Sequence, residues 1–246
     1  MDISKQIDLY VNDYKDFMKI LHFPKYTLRT HTVSISTADS QGFEVAASTS
    51  YQPLTGEHAL SVSTNLLLSK YLMFHEFTHM YDSEVFVHGD KKRYGGLSGY
   101  TEYHASQIEL LLLLNAKTVD SPISFSMNTV ISTFSGEKSV KQYVNDKYQH
   151  AIDLFGRKDF PANLNTLKSA LGVLYNYWGL RSICEMYATD FEEVVNNEVL
   201  LKTIPSQLFS ANNNLMHGWL NKEKIELSIN LYWYIIFPII KDNNLA

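Results

Sequence analysis

Apolar side chains recur three and four residues apart near the start of the chain, at Ile3, Ile7, Tyr10, Val11, Tyr14, Phe17, Met18 and Leu21. That period predicts an amphipathic helix over 3–21. The pattern then shortens. Residues 26–36, Phe43–Thr49 and His58–Ser63 read as strands, the last with Ala59, Ser61 and Ser63 alternating against Leu60 and Val62. Gln52-Pro53-Leu54-Thr55-Gly56 is turn chemistry between them. A helical period returns after Thr64-Asn65, with Leu66, Leu67, Tyr71, Phe74, Thr78 and Tyr81, and runs to about Val85. Gly89–Ser98 reads as a glycine-containing loop and Tyr100–Asn115 as a leucine-rich helix. Residues 116–138, rich in Ser, Thr and Asn, are the candidate lobe boundary. Helical patterns follow at 139–155, 162–178, 179–196 and 223–240.

These elements predict an α+β fold. Residues 1–115 form an N-terminal lobe with a small antiparallel or mixed sheet, and residues 116–246 a mostly helical C-terminal lobe. A length of 246 residues and a 45% hydrophobic fraction suit such a globular chain. The net charge of −5 gives no overall basic footprint, so no nucleic-acid partner is expected. Lys91-Lys92-Arg93 reads as a solvated loop cluster. Cys184 is the single cysteine, which excludes an intrachain disulfide; it reads as a buried structural thiol. The N-terminal residues lack a secretory pattern, and Leu231–Ile240 is too short to span a bilayer. No membrane partner is expected, and a cytoplasmic location is the default.

Residues 75–79 read His-Glu-Phe-Thr-His. On a helix, positions four apart share a face, so both imidazoles can point at one ion. Zinc suits two neutral imidazole nitrogens. Glu76 leaves the helix about 100° from His75, where it can reach a zinc-bound water as general base without ligating the metal. Shuffling this composition yields the motif in roughly 2% of chains, so its place inside a helical run adds weight. The bland alternative is a helix with two satisfied core histidines and an incidental glutamate.

Catalytic zinc sites usually have three protein ligands and an open fourth position. A metzincin arrangement needs Gly at 82 and His or Asp at 85; those positions are Asp82 and Val85, which rejects that class. Downstream, Glu102-x-x-Ala105 opens the next predicted helix, and Ala105 leaves room on the Glu102 face. His75-Glu76-x-x-His79 followed by Glu102-x-x-Ala105 resembles the gluzincin pattern of zincin metallopeptidases. It is similar, more narrowly, to the ImmA/IrrE-type metallopeptidases of bacteria and phages, over roughly residues 55–115. The resemblance implies a zincin-like fold, His75, His79 and Glu102 as zinc ligands, and an antiparallel strand beside the site that binds the substrate backbone. His58–Ser63 would be that strand. Ser106 departs from the Asp or Asn common after the alanine. The family's helix-turn-helix partner segment is not evident.

Other residues compete for these roles. His104, His88 and Glu109 are the rivals of Glu102; Glu109 shares its face two turns on and reads as either a ligand's partner or a helix charge. Asp82 lies on the face of His75 and His79 and could accept a hydrogen bond from a ligand imidazole, or be solvated. Tyr94, Tyr100, Tyr103, His150 and His217 are open candidates for an oxyanion stabiliser. The expected function is a zinc metallopeptidase acting on a peptide or protein. The alternative is a zinc-binding regulatory protein of zincin fold without physiological protease activity.

Overall fold

A computed structural model describes residues 2–33, 46–193 and 195–245. The predicted strand positions 34–36 and 43–45 lie outside the described residues. The chain forms two compact units: Met1–Tyr94 with Ile108–Pro122, and Gly95–Gln107 with Ile123–Ala246. The last change of unit falls within the 116–138 segment.

The first unit opens with α1 (Ile3–Met18), capped by the Asp2 side chain accepting from the Ser4 amide. It ends three residues before the predicted limit, because Lys19 turns left-handed at φ 56° and leaves Leu21 exposed. Ile7, Tyr14 and Phe17 are buried as the period predicts. Tyr14 meets Phe23, Phe74 and Phe77 edge-on. Such pairs add about 0.5–1.5 kcal/mol each beyond area burial. Its hydroxyl donates to Thr78 Oγ1 at 3.1 Å, and Thr78 donates to the Phe74 carbonyl at 2.8 Å.

Among the described residues the sheet of this unit has strands β1 (Tyr26–His31), β2 (Ala47–Gln52) and β3 (Glu57–Ser63) in the order β1-β3-β2. β1 runs parallel to β3 and β2 antiparallel to it. His58, Leu60 and Val62 face the core, as the alternation predicts. β3 is therefore the central strand with both edges paired. The expectation that it offers a backbone edge to a substrate is corrected: among the described residues β2, not β3, is the outer antiparallel strand.

The motif helix α2 (Lys70–Phe86) starts later than predicted. Asn65 does not begin it, because its side chain accepts from the Val33 amide at 2.9 Å and donates to the Val33 carbonyl at 2.8 Å. Leu67 is left 75% exposed outside the helix. The next helix, α3 (Lys91–Leu113), corrects the predicted loop at 89–98. Asp90 caps it, accepting from the amides of Lys92 and Arg93, so the basic cluster forms its first turn. Gly95 and Gly96, two of the glycines behind the loop reading, are packing sites. A Cβ on Gly95 or Gly96 would lie within 2.7 Å of Trp233 or Ile229, and one on Gly99 within 2.6 Å of the Tyr175 ring.

The second unit holds a hairpin of β4 (Val130–Thr133) and β5 (Gly136–Ser139), then α4 (Val140–Phe155), α5 (Leu164–Tyr187), the short α6 (Glu198–Leu201), α7 (Ser206–Leu215) and α8 (Lys222–Asp242). The predicted helices 162–178 and 179–196 are one helix as far as Tyr187. Gly179 does not break it; there α5 meets α3, and a Cβ would stand 2.2 Å from the Tyr103 carbonyl oxygen. Buried hydrogen bonds fix this crossing: Ser106 to Asn176 at 2.6 Å and Gln107 to Ser182 at 2.7 Å. No described helix is long and apolar enough to cross a membrane.

Cys184 is fully buried in α5, as expected of a structural thiol. Burial, and then the Glu185 carboxylate, push its thiol up to about 12. The folded protein thus favours the neutral thiol. Its stabilising effect is complete below the unfolded value of about 8.5 and is lost as pH rises toward the folded one. Iodoacetamide at pH 8 is expected to leave Cys184 unmodified in native protein and to alkylate it in denaturant, as mass spectrometry would read.

Candidate metal centre

Helix α2 presents the motif because its other positions are taken by the core. Phe74, Phe77, Thr78 and Met80 are buried, while His75, Glu76 and His79 keep partial exposure. The two imidazoles lie one turn apart, with centroids separated by 4.8 Å and planes at 79°.

Glu109 Oε2 lies 2.8 Å from His75 Nδ1, and the Glu109 carboxylate is almost wholly buried. A neutral His75 so paired carries its proton on Nδ1 and keeps its lone pair on Nε2. Of the two readings left open for Glu109, the structure gives the partner of a candidate ligand, not a solvated helix charge. Asp82 is also completely buried, which excludes the solvated reading for it. Burial, and then the Asp82 carboxylate, raise the Tyr81 phenol above its ordinary range.

Glu76 rests against the sheet. The Thr49 hydroxyl on β2 donates to Glu76 Oε2 at 3.1 Å. Thr49 was not singled out from the sequence, and no local signal marks it. Its role depends on β2 packing against α2, a contact between residues 27 positions apart.

Glu102 lies on α3, seven residues before Glu109 and so on the same face. One ligand atom each from His75, His79 and Glu102 lies within 4.8 Å of the other two. Among the described residues this is the one group of three or more His, Cys, Asp or Glu side chains so arranged. The rivals stand elsewhere. His104 is buried, stacked on Tyr100 and edge-on to Trp219. His88 is exposed with φ 50° beyond the end of α2.

The donor set fits zinc. Two imidazole nitrogens and one carboxylate would make a three-ligand set with a fourth position open. Bonds of about 2.1 Å in a tetrahedron place ligand atoms about 3.4 Å apart, against the 4.8 Å within which these three atoms lie. Glu109→Ala is expected to weaken zinc affinity by about 10–100-fold, because His75 loses the acceptor that orients it, and Glu109→Gln to recover part of the loss. Competition with a chromophoric chelator measures both.

Two oxyanion candidates have their polar atoms engaged. The Tyr103 hydroxyl donates to the Gly218 carbonyl at 2.5 Å. His217 pairs Nδ1 with Glu185 at 2.7 Å and Nε2 with Arg181 at 3.3 Å. Tyr94 packs beside Tyr51, and His150 is exposed on α4. Comparison with protein-family models, curated proteins and solved structures finds no match, so the geometry of these side chains alone carries the functional reading.

Proposed function

We propose that the chain is a zinc-dependent metallopeptidase of the gluzincin kind. One observation carries the reading: His75, His79 and Glu102 offer three ligand atoms within 4.8 Å, and Glu76 stands next to the first of them. A zinc ion bound there would polarise the scissile carbonyl and bring the pKa of water near neutrality. Glu76 takes the proton of the attacking water and returns it to the leaving amine. Thr49 holds one Glu76 oxygen in place, and Glu109 holds the His75 ring. Among the described residues β2, antiparallel to β3, is an outer strand of the sheet and carries the Thr49 that reaches Glu76, so an extended peptide paired along it would lie beside that carboxylate. The substrate class is therefore a peptide or an unfolded segment of a protein.

Incubation of the zinc-loaded protein with an unfolded polypeptide, read by mass spectrometry, tests the reading. Products that appear with zinc, disappear with chelator and are missing from Glu76→Gln support it. Wild-type protein that carries zinc and cleaves no peptide bond would contradict it and favour a zinc-binding regulatory protein.

A further inference from the structure

Gly172 lies inside α5, where glycine is disfavoured because it loses more backbone freedom on folding than other residues. Its surroundings differ from those of the other helix glycines. At Gly95, Gly96, Gly99 and Gly179 an added Cβ would fall within 3.0 Å of another residue's atoms. At Gly172 it would meet Glu102 Oε1 at 3.5 Å, Cδ at 3.6 Å and Cγ at 3.7 Å, and these three nearest atoms all belong to that one side chain. The space beyond the Gly172 backbone is thus occupied by the Glu102 carboxylate. Tyr232 on α8, 2% exposed, feels the charge of the same carboxylate. Burial, and then the Glu102 charge, raise its phenol, while a hydrogen bond with Ser98 opposes the rise.

We propose that Gly172 is a positioning residue for the candidate third ligand: its bare backbone is the seat of the Glu102 carboxylate, and a side chain longer than alanine's displaces that carboxylate from His75 and His79. The inference rests on Glu102 being a ligand, as the metallopeptidase reading holds. Alanine's Cβ meets only ordinary van der Waals contact. The next carbons of leucine would enter the volume that the carboxylate fills. The device acts through Glu102 and touches no substrate.

The test compares wild type, G172A, G172L, E102A and the G172L/E102A double variant. Each is measured for zinc affinity by chelator competition and for melting temperature without metal. G172A is expected to bind zinc as wild type does. G172L is expected to bind zinc about 10–100-fold more weakly, the usual loss when a ligand's support is altered. It is also expected to melt lower in the metal-free state, and truncation of Glu102 should remove most of that loss, since the two side chains contend for one volume. Should G172L not fold, Gly172→Ser, one atom longer than alanine, carries the same comparison. Wild-type zinc affinity in G172L overturns the proposal, and so does a thermal loss that is equal with and without the Glu102 side chain. A wild type that binds no zinc sinks the metallopeptidase reading instead. The thermal cycle then still separates a seated Glu102, by coupling, from an unseated one, by additivity.

Discussion

Glu76→Gln is expected to lower peptide hydrolysis by about 10²–10⁴-fold, with zinc content unchanged. The factor is the usual worth of a positioned general acid–base, equivalent to about 3–5 kcal/mol of barrier. Glutamine keeps the shape of the side chain and an oxygen that can accept the Thr49 hydroxyl. It cannot take up a proton. Glu76 is not one of the three grouped ligands, so its change should leave the metal in place. The paired readout therefore separates a lost base from a lost metal. A drop of less than about tenfold would mean that another group moves the proton. Loss of zinc with Glu76→Gln would mean that this carboxylate is itself a ligand.

Gly179→Ala is expected to lower the melting temperature by about 4–8 °C, against the usual sign of a glycine-to-alanine change in a helix. Helix propensity favours alanine by about 1 kcal/mol. The new Cβ, however, would stand 2.2 Å from the Tyr103 carbonyl oxygen and 3.0 Å from Ser106 Cβ. Neither is the yielding end of a flexible side chain, so α3 and α5 must part, at a cost of about 3 kcal/mol. The net loss of about 2 kcal/mol gives the stated shift for a chain of this size. The same substitution at Gly172, where a Cβ meets nothing closer than 3.5 Å, is expected to raise the melting temperature. Thermal denaturation followed by circular dichroism distinguishes the two. A raised melting temperature for Gly179→Ala would contradict the close crossing.

The sequence is most legible where one element decides the outcome. The three- and four-residue period places α1, the alternation in His58–Ser63 places β3, and four-residue spacing alone puts His75 and His79 on one face of α2. It is least legible where a residue's meaning depends on a distant partner. Gly95 and Gly96 read as a loop, because nothing local says that Trp233 and Ile229 will lie against them. Gly179 reads as a helix boundary for the same reason. Asn65 reads as a helix start, although it is spent on the backbone of Val33. The predicted strand edge falls on β3 instead of β2, because alternation reports which face is buried and not which neighbour pairs. At the candidate site, the motif is legible from spacing, and Glu102 as its companion from the resemblance that the Glu102-x-x-Ala105 element carries. Thr49 and Gly172 are not, since each acts only through a contact made by folding.

The most direct test of the central claim is the zinc content of purified protein by elemental mass spectrometry, on wild type, Glu102→Ala and His104→Ala. The metallopeptidase reading predicts about one zinc per chain in wild type, loss with Glu102→Ala, and retention with His104→Ala, whose ring is stacked on Tyr100. No zinc in any form after zinc is supplied would contradict the reading and leave His75 and His79 as helix residues paired by chance.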